Sequence, residues 1–236
     1  MNRGVWIAVA IGIAAALGVF AQRHFAGLPE AAAVAAATPA EPAPTAPESA
    51  AEADATATPP APVVPESLPQ FELADRDGKV RKLGEWKGQP VLVNYWATWC
   101  APCRREIPLL NELRAERGKQ KLEVVGVAVD FRDDVLKYAQ ETTISYPLLI
   151  GEEDGLAAVK AMGMQPAFPF SVFADSQQRI VALKVGELHR DEAELILERV
   201  ARVDAGTLPL KQAREEITEG LKELATRRAA VKPAAG

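Results

Sequence analysis

Cysteine and histidine are the scarcest reactive residues in this chain: 236 residues contain two of each. Two cysteines do not make the disulfide framework of a small secreted scaffold, which needs several pairs in a short chain. Nor do they close a structural zinc site. Such a site takes four Cys or His ligands, and His24 and His189 lie far apart in the sequence. An excess of positive charge is also missing. With a formal charge of -5 and a pI near 5.3, the chain has no basic footprint for nucleic acid.

Two stretches are defined by what they lack. Residues 4–21 carry no charge and lie between Arg3 and Arg23. That length is at the short end for a helix crossing about 30 Å of hydrocarbon, and slightly long for the core of a cleaved signal peptide. Residues 1–28 are therefore expected to form a signal anchor. The alternative is cleavage near the Ala-rich stretch at 31–37. Either way the rest of the chain is exported. Residues 29–67 contain no Lys or Arg and are mostly Ala and Pro. Proline interrupts helix and sheet, and so few large apolar groups cannot offset the entropy of ordering. A disordered linker is expected there, serving as a spacer.

Residues 68–203 have the patterning of a folded domain. "FELADRDGKVRKL" reads as a hairpin turning at Asp77–Gly78. "PVLVNYWA" and "KLEVVGVAVD" read as buried strands, and "YPLLIG" as a short one. "RREIPLLNELRAERG" reads as a helix, kinked at Pro108 and ended by Gly118. Helical patterns follow within 132–162. "FPFSVFAD" and "RIVALKVG" make a second hairpin, and an amphipathic helix follows with Leu195, Ile196 and Val200 inward. Strands alternating with helices, closed by a hairpin, predict an α/β fold: a central mixed sheet flanked by helices. Residues 204–236 form a separate amphipathic extension, with Leu210, Ile217, Leu221 and Leu224 at helical spacing. This helix either packs on its own domain or binds a partner. Arg227–Arg228 reads as its solvated end.

The two cysteines are Cys100 and Cys103, in "NYWATWCAPCRREIP". As a staple they would close a loop too short to stabilise much. Two thiolates with His189 leave open a Cu(I) carrier. Their surroundings favour a third reading. A buried strand runs into CAPC and a helix runs out of it, so Cys100 lies at a helix N-terminus. Free N–H groups and the positive dipole end favour a thiolate there, lowering cysteine pKa values from about 8.5 to roughly 3.5–7.5. Cys100 is then the exposed attacker, and Cys103, a turn deeper, resolves the mixed disulfide. Pro102 fits the first turn, where a missing N–H costs little.

"VLVNYWATWCAPCRREIP" closely resembles the thioredoxin superfamily and, within it, the membrane-tethered TlpA/ResA-like thiol-disulfide oxidoreductases. The resemblance spans roughly residues 68–200. It implies a thioredoxin-like fold with an N-terminal β-hairpin and a helical insertion at 132–162. It places a cis-proline facing the active site at Pro169, with Phe168 before it and Phe170–Ser171 after it. The family more often has a small polar pair after that proline, so a more apolar substrate groove is implied. Asn94 stands where thioredoxin has an acid. Glu106, three residues after Cys103, takes the proton-handling role, with a solvated glutamate beside Arg104 and Arg105 as the alternative. Trp99 shields the site.

The resemblance also implies work on the periplasmic side of the bacterial inner membrane. Substrates would be disulfide-containing exported proteins, apocytochrome c among them, and a membrane thiol-electron donor of DsbD/CcdA type would recharge the enzyme. No metal or added cofactor is expected beyond the redox-active disulfide Cys100–Cys103. The inner pair Ala101–Pro102 lacks the histidine often found in strong oxidants, which favours a reductant over an oxidase or isomerase.

Overall fold

The computed structural model describes residues 64–231. The expected anchor at 1–28, most of the linker and residues 232–236 lie outside the described residues. Among those described, no helix is long and apolar enough to cross a membrane.

The apolar run VLVNYW becomes the central strand β3 (Val91–Trp96), with all six residues buried. Side chains alternate across a strand. Leu92 and Trp96 therefore enter one apolar cluster, and Val91, Val93 and Tyr95 the other. β4 (Glu123–Ala128) runs parallel to β3, and β5 (Leu148–Ile150) parallel to β4. β6 (Phe170–Ala174) lies antiparallel on the other side of β3 and turns back into β7 (Ile180–Val185). The hairpin of β1 (Glu72–Asp75) and β2 (Val80–Lys82) joins through an antiparallel β1–β5 pair. The strand order is β2-β1-β5-β4-β3-β6-β7. A mixed sheet results, as the sequence pattern predicts.

Among the described residues, five α-helices accompany it: α1 (Ala101–Arg117), α2 (Arg132–Glu141), α3 (Glu153–Ala161), α4 (Arg190–Asp204) and α5 (Leu210–Val231). Ile107, Leu110 and Leu113 of α1 meet Ile196 and Val200 of α4 on one face, where Val135 of α2 also packs. Each such side chain contributes roughly 1.5–3 kcal/mol when fully buried. α3, through Ala158 and Val159, covers the other face with Leu83 and Trp86.

Several details differ from the expectations. Residues 64–67 belong to the fold rather than the linker: Glu66 accepts the Ile180 N–H at 2.9 Å, and Ser67 bridges Arg179. α1 does not break at Pro108, which lies on its exposed side. Gly118 keeps right-handed dihedrals, and Lys121 takes the left-handed position instead. Leu195 faces α5, not the sheet: a Cβ on Gly220 would lie 2.7 Å from its Cδ2, so glycine permits that close crossing. α5 packs on its own domain through Ala213 and Ile217. Its Arg214 donates to the Ile180 carbonyl at the start of β7 (3.1 and 2.6 Å). Arg228 is no solvated end but pairs with Asp191 and Glu192.

Candidate active site

β3 ends at Trp96, and the chain turns through Thr98 and Trp99 into α1. Asp130, just past β4, fixes that turn: it accepts from the Thr98 N–H at 2.9 Å and from the Thr98 hydroxyl. Cys100 is the N-cap of α1, in extended conformation, and its Sγ accepts the Cys103 N–H at 3.3 Å. A free first-turn amide thus points at the sulfur. Pro102 sits in that first turn, where its missing N–H leaves no gap in the helix. Cys100 and Cys103 are joined by a disulfide with their Cα atoms 5.3 Å apart. Cys100 is 5% exposed and Cys103 0%. The first cysteine is therefore nearer the surface, as expected, yet far less exposed than a free-standing attacker.

Trp99 is 68% exposed beside the disulfide. Its ring meets Phe168 edge-on at 6.0 Å. Phe168 lies parallel to Phe170 at 6.4 Å, and Phe170 stacks on Tyr95 at 4.3 Å. A row of aromatics thus joins the surface tryptophan to the core. The Phe168–Pro169 peptide is cis, and the Pro169 carbonyl accepts from Gly186 N–H at 2.8 Å. Trp99, Phe168, Phe131 and Leu156 form apolar walls of a cleft of about 490 Å³. Asp134 and Glu152 also line it, giving this cleft an acidic border.

Glu106 lies one turn after Cys103 on the same face of α1 and is 2% exposed. The solvated alternative is overturned: Arg105 turns away to pair with Glu187, and Glu106 points inward. Asn94 donates its amide to Glu106 Oε1 at 2.7 Å, and the Leu188 N–H donates to Oε2 at 2.6 Å. Burial dominates and pushes the Glu106 carboxyl up to about 7, despite those two hydrogen bonds and the nearby Lys184. The carboxyl therefore changes charge near neutral pH, next to the inner cysteine. Asn94 itself is set by register: it sits between Gly126 of β4 and Ser171 of β6, and its amide also reaches the Ser171 hydroxyl at 3.1 Å. A Cβ on Gly126 would fall 2.6 Å from Leu148 and 2.9 Å from Tyr146. Only glycine lets the layers close there.

Among the described residues, no group of three or more Cys, His, Asp or Glu comes together as a metal site. His189 is the N-cap of α4. Sequence reasoning missed Asp130 and the Leu188 amide. Asp130 had a faint signal, an acid ending an apolar strand. A backbone N–H has none.

Residues 64–183 match the AhpC/TSA family. The thiol-disulfide oxidoreductase ResA of Geobacillus thermodenitrificans is 30% identical over 133 residues, covering 56% of this chain and 75% of that protein. The thioredoxin-like protein YneN of Bacillus subtilis is 32% identical over 130 residues, covering 53% and 74%. Among solved structures, a thiol:disulfide interchange protein of the thioredoxin family from Chlorobium tepidum superposes with a TM-score of 0.50 at 26% identity, over 61% of this chain and 99% of that one. The thioredoxin domain of a thiol-disulfide oxidoreductase from Bacteroides vulgatus gives 0.52 at 22% identity, over 59% and 98%. That second likeness bears on the fold alone.

Proposed function

This chain belongs to the AhpC/TSA family and is a thiol-disulfide oxidoreductase of the ResA type, and from that premise we propose that it reduces protein disulfides outside the cytoplasm. The observation that carries the reading is the Cys100–Cys103 pair at the start of α1 with buried Glu106 behind it. Reduced Cys100, as thiolate, attacks a substrate disulfide. One substrate sulfur leaves as thiolate, and a Cys100–substrate disulfide forms. The Cys103 thiol passes its proton to Glu106, and the new thiolate attacks Cys100 Sγ. The mixed disulfide breaks, the second substrate sulfur leaves, and the Cys100–Cys103 disulfide forms. Two electrons have passed to the substrate.

Ala101–Pro102 supports the reductant direction, because no cation between the cysteines adds to the stability of the reduced thiolate. Trp99, Phe168 and Pro169 would receive the substrate beside the disulfide. In this reading the N-terminal segment holds the domain at the periplasmic face of the inner membrane. A membrane thiol-electron donor of DsbD/CcdA type restores the dithiol. Exported proteins, apocytochrome c among them, are the substrates, and the disulfide is the only redox group.

Two measurements test this. A reduction potential near thioredoxin's, about -270 mV, is expected; one near DsbA's, about -120 mV, would make the protein an oxidase. In cells, Cys103→Ser should trap substrates on Cys100 for identification by mass spectrometry. Equal trapping by Cys100→Ser would reverse the two cysteine roles.

A further inference from the structure

The helix α5 lies beyond the residues that match the family, yet it reaches back toward the active site. Near its end, Arg228 bonds both oxygens of Asp191 (2.9 and 3.1 Å) and Oε1 of Glu192 (3.1 Å). Glu192 is 3% exposed. Its other oxygen accepts the His189 N–H at 3.0 Å and lies 3.6 Å from Lys184 Nζ. Lys184 in turn donates to the carbonyls of Val185 (2.9 Å) and Glu187 (3.4 Å). On the other side, Arg105 of α1 grips the Glu187 carboxylate. The short connection from β7 to α4 is therefore tied at residues 185, 187 and 189. Leu188, at its centre, aims its N–H at Glu106 Oε2.

We infer that Arg228 is a positioning residue for the redox reaction: through Glu192 and the connection before α4, it sets the Leu188 amide that holds Glu106. The physical requirement is charge balance. Glu192 is buried, and a buried carboxylate must keep its cations or move. With Arg228 gone, Lys184 is the one cation left facing it among the described residues. Glu192 is then drawn toward Lys184 or toward water, and its bond to the His189 N–H slackens. The Leu188 amide loses its fixed aim.

Glu106 is faced by Cys103 from its own helix, Asn94 from β3, Tyr146 from before β5, Lys184 from β7, and Glu187 with the Leu188 amide from the connection. Of these, Asn94, the Leu188 amide and Lys184 favour its ionised form, and Glu187 opposes it. Weakening the amide bond therefore makes Glu106 keep its proton to higher pH. This inference rests on reading Glu106 as the proton acceptor, and the test separates the two.

The experiment uses the full chain and follows the Glu106 carboxyl by carbon-13 NMR titration, assigned with Glu106→Gln. Arg228→Ala should raise the midpoint by about half a pH unit, and the pH profile of mixed-disulfide resolution should move the same way. Arg228→Lys, which restores the charge but cannot bridge two carboxylates, should give a smaller rise. Arg227→Ala, one residue earlier and paired with Glu223 of its own helix, should leave both unchanged. An unmoved midpoint in folded Arg228→Ala overturns the inference. If that variant does not fold, an unmoved midpoint in Arg228→Lys does so. A moved midpoint with an unmoved resolution profile upholds the positioning and refutes Glu106 as acceptor.

Discussion

Two buried glutamates approach the same short connection from opposite sides, and they are solvated in opposite ways. Glu106 receives neutral donors, the Asn94 amide and the Leu188 N–H, with Lys184 as a nearby cation. Glu192 lies between two cations, Arg228 and Lys184. Both are almost inaccessible. Burial therefore does not distinguish them; the charge of the partners does. Neutral donors leave the first carboxyl free to gain and lose a proton near neutral pH. Paired cations tie the second to the framework. A carboxylate held by neutral groups is suited to chemistry, and one held by charges to architecture.

The contrast can be broken most directly with Glu106→Gln. That change keeps the shape and the Asn94 contact, gives up the bond from the Leu188 N–H, and removes the proton acceptor. Insulin-disulfide reduction at pH 7 should fall by about 10²–10⁴-fold, the usual range for a lost general base. A fall of less than threefold would place proton transfer elsewhere. A second effect is on stability. An unfolded glutamate titrates near 4.5 and native Glu106 near 7. Between those values the folded protein holds a proton that the unfolded chain has released. The contribution is thus complete below about pH 4.5 and lost as pH rises through 7, amounting to about 3 kcal/mol. Urea unfolding of the oxidised protein across pH 4–8 should show this slope, and Glu106→Gln should lack it. Equal slopes would mean Glu106 titrates normally. The smallest effect concerns the other glutamate. Glu192→Ala leaves two cations facing each other and should cost about 2–3 kcal/mol, the low side for a broken buried pair because Arg228 is partly exposed. Its turnover at pH 7 should drop only about twofold, the result of a half-unit shift at Glu106. If Glu192→Ala instead matches Glu106→Gln in turnover, the two carboxyls are not different in kind.

Much of this was written in local sequence. A strand with no charge, a CxxC and an apolar-faced helix are contiguous, so residues 91–117 could be placed without knowing their neighbours. Glu106 came from the resemblance to the TlpA/ResA-like proteins, and its spacing to Cys103 put the two on one helix face. The solvated alternative came from flanking Arg104 and Arg105, and it fails because Glu187, 82 residues away, draws Arg105 aside. Leu195 carries the right period for the core, but its helix has two buried faces, one toward the sheet and one toward α5. Arg228 read as a helix end in water because its partners are 36 and 37 residues back. Periodicity reports that a side is covered and is silent on what covers it.

The grip of Arg214 on the Ile180 carbonyl has a separate meaning. β7 is the last strand of the sheet, and an open border strand invites another chain to add on. Here the first part of that border is already occupied: residues 66–68 bond Gln178 and Ile180, and Arg214 takes the carbonyl. With that stretch filled, fewer backbone groups of β7 remain for an extended chain to pair with.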